Sequence, residues 1–177
     1  SHDQWSNNSC PQLTAGGAAG EDRVQVVCSP DESLLFCAIF DGFNGRDAAD
    51  FLSVTLFTKF SQNLAKIESR LCSRSKGLDP EEVEGALRDA LQYSEEAFVG
   101  MVERHIEEEP SRQDLAMVGS CVLAVVVQGR HLYAMSLGDS RAVLATTTTQ
   151  KKKQKKKQKD SSSSSSSSLV LLKGEME

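Results

Sequence analysis

Residues 34–45 read Leu-Leu-Phe-Cys-Ala-Ile-Phe-Asp-Gly-Phe-Asn-Gly, and the rest of the chain is organised around them. An apolar run of strand formers, Leu34–Phe40, stops abruptly at Asp41-Gly42. Phe43-Asn44-Gly45 then turns the chain toward a helix. A carboxylate fixed at the end of a buried strand and followed by glycine can present oxygen to a hard cation such as Mg²⁺ or Mn²⁺. Asp-Gly also marks ordinary turns, so the neighbouring residues decide its meaning.

Upstream, Arg23–Ser29 carries β-branched residues in partial alternation, and Pro30–Ser33 has the composition of a turn. Two strands of similar length with a short connection predict an antiparallel hairpin. In that hairpin Asp22 lies across from Asp41, so Glu21, Asp22 and Asp41 converge at one edge. Carboxylates so close repel one another unless a cation neutralises them. The same residues also fit a solvated hairpin end with acidic turn residues.

Downstream, Asp47–Leu64 is expected to be an amphipathic helix. Leu52, Leu56, Phe60 and Leu64 recur every four residues, and Phe51 and Phe57 widen the stripe. Ala65–Leu78 reads as a basic, polar connection. Asp79 is placed to cap a second helix, with Pro80 in its first turn and Glu81 and Glu82 at the positive end of the dipole. Val83, Leu87, Leu91, Ser94, Phe98, Val102 and His105 trace one face, which makes His105 a core-face structural residue. Glu107–Glu109 and Pro110 close the helix.

Gly119–Val127 reads as a buried strand, Gln128-Gly129-Arg130 as a hairpin turn, and His131–Leu137 as the returning strand, with His131 exposed beside the turn. Gly138-Asp139-Ser140 is a tight turn, after which Arg141–Ala145 is expected to start a third strand. Turn chemistry explains Asp139 as readily as metal binding. A hairpin, two helices and a meander make an α+β fold, with helices on an antiparallel sheet.

The chain has 177 residues, enough for one domain with a sizeable core. Its net charge of −5 conceals an asymmetry: residues 1–145 hold 12 basic and 22 acidic side chains, and the remainder is basic. An acidic body argues against nucleic acid as the main partner. The five cysteines show no Cys-x-x-Cys spacing. Cys28, Cys37 and Cys121 sit in apolar strand runs and are expected to be small buried hydrophobes, which fits a reducing compartment. No apolar stretch approaches the ~20 residues of a membrane span. The expected location is intracellular, cytoplasmic or nuclear.

Residues 1–16 read as a polar lead-in, 17–145 as the domain, and 146–177 as a low-complexity tail. Within that tail Lys151–Lys159 fits a nuclear-localisation or anionic-surface patch, or a solvated charged tract with no specific role. Leu169–Leu172 is expected to be too short to dock.

Gly20-Glu21-Asp22-Arg23, Asp41-Gly42-Phe43-Asn44-Gly45 and Gly138-Asp139-Ser140-Arg141, with Gly119-Ser120 opening the strand before the third, stand in an order that resembles the type 2C metal-dependent protein phosphatases. The match covers roughly Gly17–Leu144, the N-terminal half of that family's catalytic domain. The Asp-Gly-Phe-Asn-Gly form is similar to the plant Poltergeist-like subgroup. The resemblance implies a β-sandwich with flanking antiparallel helices, here partial, and removal of phosphate from Ser and Thr of phosphorylated protein substrates in signalling. It implies two core Mg²⁺ or Mn²⁺ ions and a third, weaker one. Glu21 would lie near the metals, Asp22 would be a direct ligand, and Asp41 would bridge the core ions. Gly42 would bind through its carbonyl, and Asp139 would help hold the third ion. Asp22 and Asp41 are thereby the catalytic candidates, through a hydroxide bridging the metals that attacks phosphorus in line.

The chain departs from the family pattern in three ways. Phe43 stands where most members have the His that is the usual acid for the leaving alkoxide. Gly17 stands where an Arg usually holds the substrate phosphate. The later Asp-Gly and closing Asp-Asn segments, which supply further metal aspartates, have no counterpart after Ala145. The expectation is an incomplete, inactive form as written, with a non-catalytic pseudophosphatase acting as a binding module as the alternative.

Overall fold

The computed structural model describes residues 20–30, 33–71, 78–145 and 170–175. The expected lead-in over 1–16, the Gly17 position and the Thr146–Thr149, Lys151–Lys159 and Ser161–Ser168 tracts lie outside these residues. The element order is β1 (Arg23–Cys28), β2 (Leu34–Phe43), α1 (Asp47–Leu71), α2 (Pro80–Glu108), a 3₁₀ segment (Pro110–Met117), β3 (Gly119–Gln128), β4 (His131–Leu137) and β5 (Val170–Glu175). The strands form one sheet in the order β1-β2-β3-β4-β5, with every neighbouring pair antiparallel. The predicted β1–β2 hairpin is present, and so are the first two strands of the predicted meander.

Strand periodicity explains how one sheet carries two unlike faces. Leu34, Phe36, Ala38 and Phe40 of β2 are buried with Val122, Ala124 and Val126 of β3 and Tyr133 and Met135 of β4. Against them pack Leu52, Leu56, Phe60 and Leu64 of α1 and Val83, Leu87 and Leu91 of α2. The intervening residues Leu35 and Ile39 point the other way and are exposed. One sheet with one helical layer is the expected partial architecture, and its second apolar face has no layer over it among the described residues.

Six expectations need correction. Helix α1 runs on to Leu71 through part of the anticipated connection, because Ile67 continues the buried stripe at 7% exposure. His105 is exposed, its Nδ1 lying 3.0 Å from the Met101 carbonyl oxygen. The buried face of α2 ends at Val102, and the 3₁₀ segment packs on the helix, burying Leu115. Arg141–Ala145 is not a strand and is exposed throughout. Instead Val170–Glu175, overlapping the stretch judged too short to dock, pairs with β4. Main-chain hydrogen bonds to a free sheet edge are enough for that addition. Finally, Cys28 is exposed and Cys37 and Cys121 are only half-buried, since all three fall on the open face of the sheet. His131, expected to be exposed, is half-buried beside Tyr133.

Among the described residues no helix is long and apolar enough to cross a membrane.

Candidate metal centre

The edge where β1 begins and β2 ends gathers the acidic residues. Arg23 pairs with Phe40 in the β1–β2 register, so the next step outward sets Asp22 across from Asp41. On the other side of β2, Asp41 pairs with Cys121 and Gly42 with Ser120. Strand β4 then leaves the sheet at Gly138, whose φ of +101° suits a residue without a side chain. A Cβ at Gly138 would stand 2.3 Å from Cys121 Sγ, so the turn lies directly on that thiol. Asp139 is carried in behind it, with Oδ1 3.5 Å from Cys121 Sγ. One donor atom each from Asp41, Cys121 and Asp139 fall within 4.8 Å of one another.

Backbone packing tightens the arrangement. A Cβ at Gly42 would stand 2.6 Å from the Glu21 carbonyl oxygen, so only glycine allows these two segments to meet. Glu21 thus reaches the edge through its main chain. Arg23 donates from its guanidinium to the carbonyls of Gly20 and Asp22, 2.7 Å each, and is paired with Asp50 of α1. Its charge is therefore directed at the helix and the chain entering β1. Arg46 makes a second contact with Asp50 at 3.2 Å. Asn44, at φ +60°, donates to the Met117 carbonyl at 2.8 Å and ties the turn after β2 to the 3₁₀ segment.

The electrostatics follow from this crowding. Loss of hydration, then the charges of Asp22 and Asp139 and a hydrogen bond with Asp22, push the Asp41 carboxyl above its ordinary range. Such a group gains from a cation set among its neighbours. Carboxylate oxygens and a nearby backbone carbonyl are the donors that hard divalent ions take, so the residues present fit such an ion. Burial likewise pushes the Cys121 thiol up.

Of the residues singled out in the sequence, Asp22, Asp41 and Asp139 come together, and Glu21 and Gly42 form the backbone cradle beside them. Sequence reasoning missed Cys121, which it assigned to the core, and the bracing role of Arg23. The position of Cys121 opposite Asp41 depends on the register of β3, for which an unbroken apolar run gives no local signal.

The family model for protein phosphatase 2C matches residues 8–165. The chain is 45% identical over 153 residues to an Arabidopsis thaliana protein described as probable protein phosphatase 2C 40, covering 75% of this chain and 30% of that protein. It is 42% identical over 164 residues to probable protein phosphatase 2C 39 of Oryza sativa subsp. japonica, covering 75% of this chain and 31% of that protein. The chain thus spans about a third of the length of these relatives. The crystal structure of serine-threonine phosphatase 2C from Toxoplasma gondii superposes with a TM-score of 0.56 at 20% identity, covering 73% of this chain and 42% of that one, a likeness of fold.

Proposed function

The chain belongs to the protein phosphatase 2C family, and from that premise we propose that the protein is a metal-dependent phosphatase acting on phosphoserine and phosphothreonine of protein substrates. The observation that carries this reading is the convergence of Asp22, Asp41 and Asp139 at one sheet edge, with the Asp41 carboxyl held above its ordinary range.

In this reading Asp41 would hold the cation from the last residues of β2, with Asp22 and Asp139 beside it. Gly42 would contribute its carbonyl, and its missing side chain leaves room for the Glu21 main chain. Arg23, braced by Asp50, fixes the backbone from which Asp22 reaches the site. The chemistry that Mg²⁺ or Mn²⁺ supplies here is activation of the attacking water and neutralisation of charge on the phosphoryl oxygens. Phe43, next to this cluster, has no proton to give, so the leaving oxygen of the substrate side chain must be protonated by water or another group. Residues 1–177 alone are expected to bind the cation and to turn over little phosphopeptide, because the carboxylates they assemble are few for two core ions.

Phe43 also motivates a second reading, in which the fold serves as a non-catalytic binding module. Calorimetric titration with Mn²⁺, alongside phosphopeptide hydrolysis by the whole protein, separates the two. Mn²⁺ binding and turnover that both disappear in Asp41→Asn support the phosphatase. A whole protein that binds no Mn²⁺ and releases no phosphate overturns it in favour of the module.

A further inference from the structure

Cys121 is the one member of the cluster that hard-ion chemistry does not call for. It sits on β3 directly across from Asp41, and its sulfur fills the space against Gly138 where a side chain would otherwise stand. The turn carrying Asp139 is consequently pressed onto the thiol, and Sγ lies 3.5 Å from Asp139 Oδ1. A tetrahedral ion with a metal–sulfur distance of about 2.3 Å and a metal–oxygen distance of about 2.0 Å separates those two donors by about 3.5 Å. With Asp41 as the third donor, all three atoms fall within the 4.8 Å already noted.

We propose that Cys121 gives this centre a soft donor, and that the centre therefore takes a thiophilic divalent ion such as Zn²⁺ or Cd²⁺ through Asp41, Cys121 and Asp139, in competition with Mg²⁺ or Mn²⁺. The inference rests on the reading of Asp41 and Asp139 as cation carboxylates. Coordination replaces the S–H bond by a sulfur–metal bond, and the proton leaves to solvent. Water completes the tetrahedron. A serine in place of Cys121 would offer oxygen at nearly the same position and so would lose the preference without emptying the site.

The test is titration of the metal-free 177-residue chain with Cd²⁺, followed by the ultraviolet sulfur-to-cadmium charge-transfer band, with Zn²⁺ and Mn²⁺ affinities measured by calorimetry. Cys121→Ser should remove the band and weaken Zn²⁺ and Cd²⁺ by about tenfold or more, while Mn²⁺ affinity changes by less than about threefold. A band and a Zn²⁺ affinity unchanged in Cys121→Ser overturn the proposal even when Mn²⁺ binding is intact and depends on Asp41. If the wild-type chain binds no Mn²⁺, or Asp41→Asn leaves Mn²⁺ binding unaltered, the reading of the carboxylate centre itself fails. Should Cys121→Ser not fold, ¹¹³Cd NMR of the wild-type chain decides. A downfield, sulfur-bound resonance displaced by excess Mg²⁺ supports the proposal, and an upfield resonance typical of oxygen ligands alone overturns it.

Discussion

Phe43 and Gly119 face each other across β2 and β3, and the ring occupies the space a side chain at 119 would need: a Cβ built there would lie 2.2 Å from Phe43 Cζ. The ring is half exposed and borders an apolar cavity of about 460 Å³ that Phe98, Val102 and Leu115 also line. An aromatic laid over a glycine on the neighbouring strand shields backbone that would otherwise face water.

Gly119→Ala should therefore expel the Phe43 ring and destabilise the fold, and Phe43→Ala should relieve the clash. The double variant is expected to be more stable than the sum of the single effects by about 0.5 kcal/mol or more. Urea denaturation of the three variants and the parent measures the coupling. Additive effects would refute the contact.

The aromatic cluster at the centre of the sheet–helix interface sets the larger stability effects. Phe36 is fully buried, with ring centroids 5.1 Å from Phe57 and 6.0 Å from Phe60. Phe36→Ala should cost about 3–5 kcal/mol, read as a lower urea midpoint with an unchanged slope. A loss under about 1 kcal/mol would mean that the helices pack elsewhere.

The start of α2 depends on a reciprocal cap. Asp79 accepts from the Glu81 amide at 3.0 Å, and Glu82 reaches back to the Asp79 amide at 3.3 Å. Asp79→Ala should cost about 1 kcal/mol, and Asp79→Asn only a fraction of that, because asparagine caps equally well. Thermal unfolding followed by circular dichroism reports both, and equal losses in the two variants would argue against the cap.

Tyr133 predicts an alkaline weakness. Burial, then the charges of Glu84 and Asp79, raise its phenol above the ordinary value of 10.0. The folded state thus holds the proton more tightly than the unfolded chain does. The associated stability is fully present below the unfolded value and is lost as pH rises through the folded one. Tyr133→Phe should remove that loss, moving the alkaline unfolding midpoint upward in a denaturation series. An unmoved midpoint would mean that another group controls alkaline unfolding.

Both helices were legible because their apolar residues recur at helical spacing and because Asp79-Pro80 is a local start signal. The end of α1 was not, since Ile67 joins the buried stripe only once α2 and the sheet are in place. His105 shows the converse. It continues the sequence periodicity of α2, yet the surface it would bury against ends at Val102. The failure of Arg141–Ala145 to form a strand, and the pairing of Val170–Glu175 in that region, turned on which segment reached the edge of β4. That competition between distant stretches leaves no trace in local composition.

For the site, the sequence by itself determined that Asp22 and Asp139 stand just outside strands. Asp41, expected past the end of β2, is instead a paired residue within it, because the strand runs on to Phe43. Asp22 and Asp41 were already opposed by hairpin register, because a short connection leaves few pairings open. The resemblance already implied Asp139 near the metals, but only the tertiary structure decided how it reaches Asp41, and that the fourth member is a thiol. Asp139 lies nearly a hundred residues beyond Asp41, and its place depends on β3 and β4 pairing in one register. A shift of one residue in β3 would turn Cys121 to the opposite face and leave Asp41 facing a different side chain.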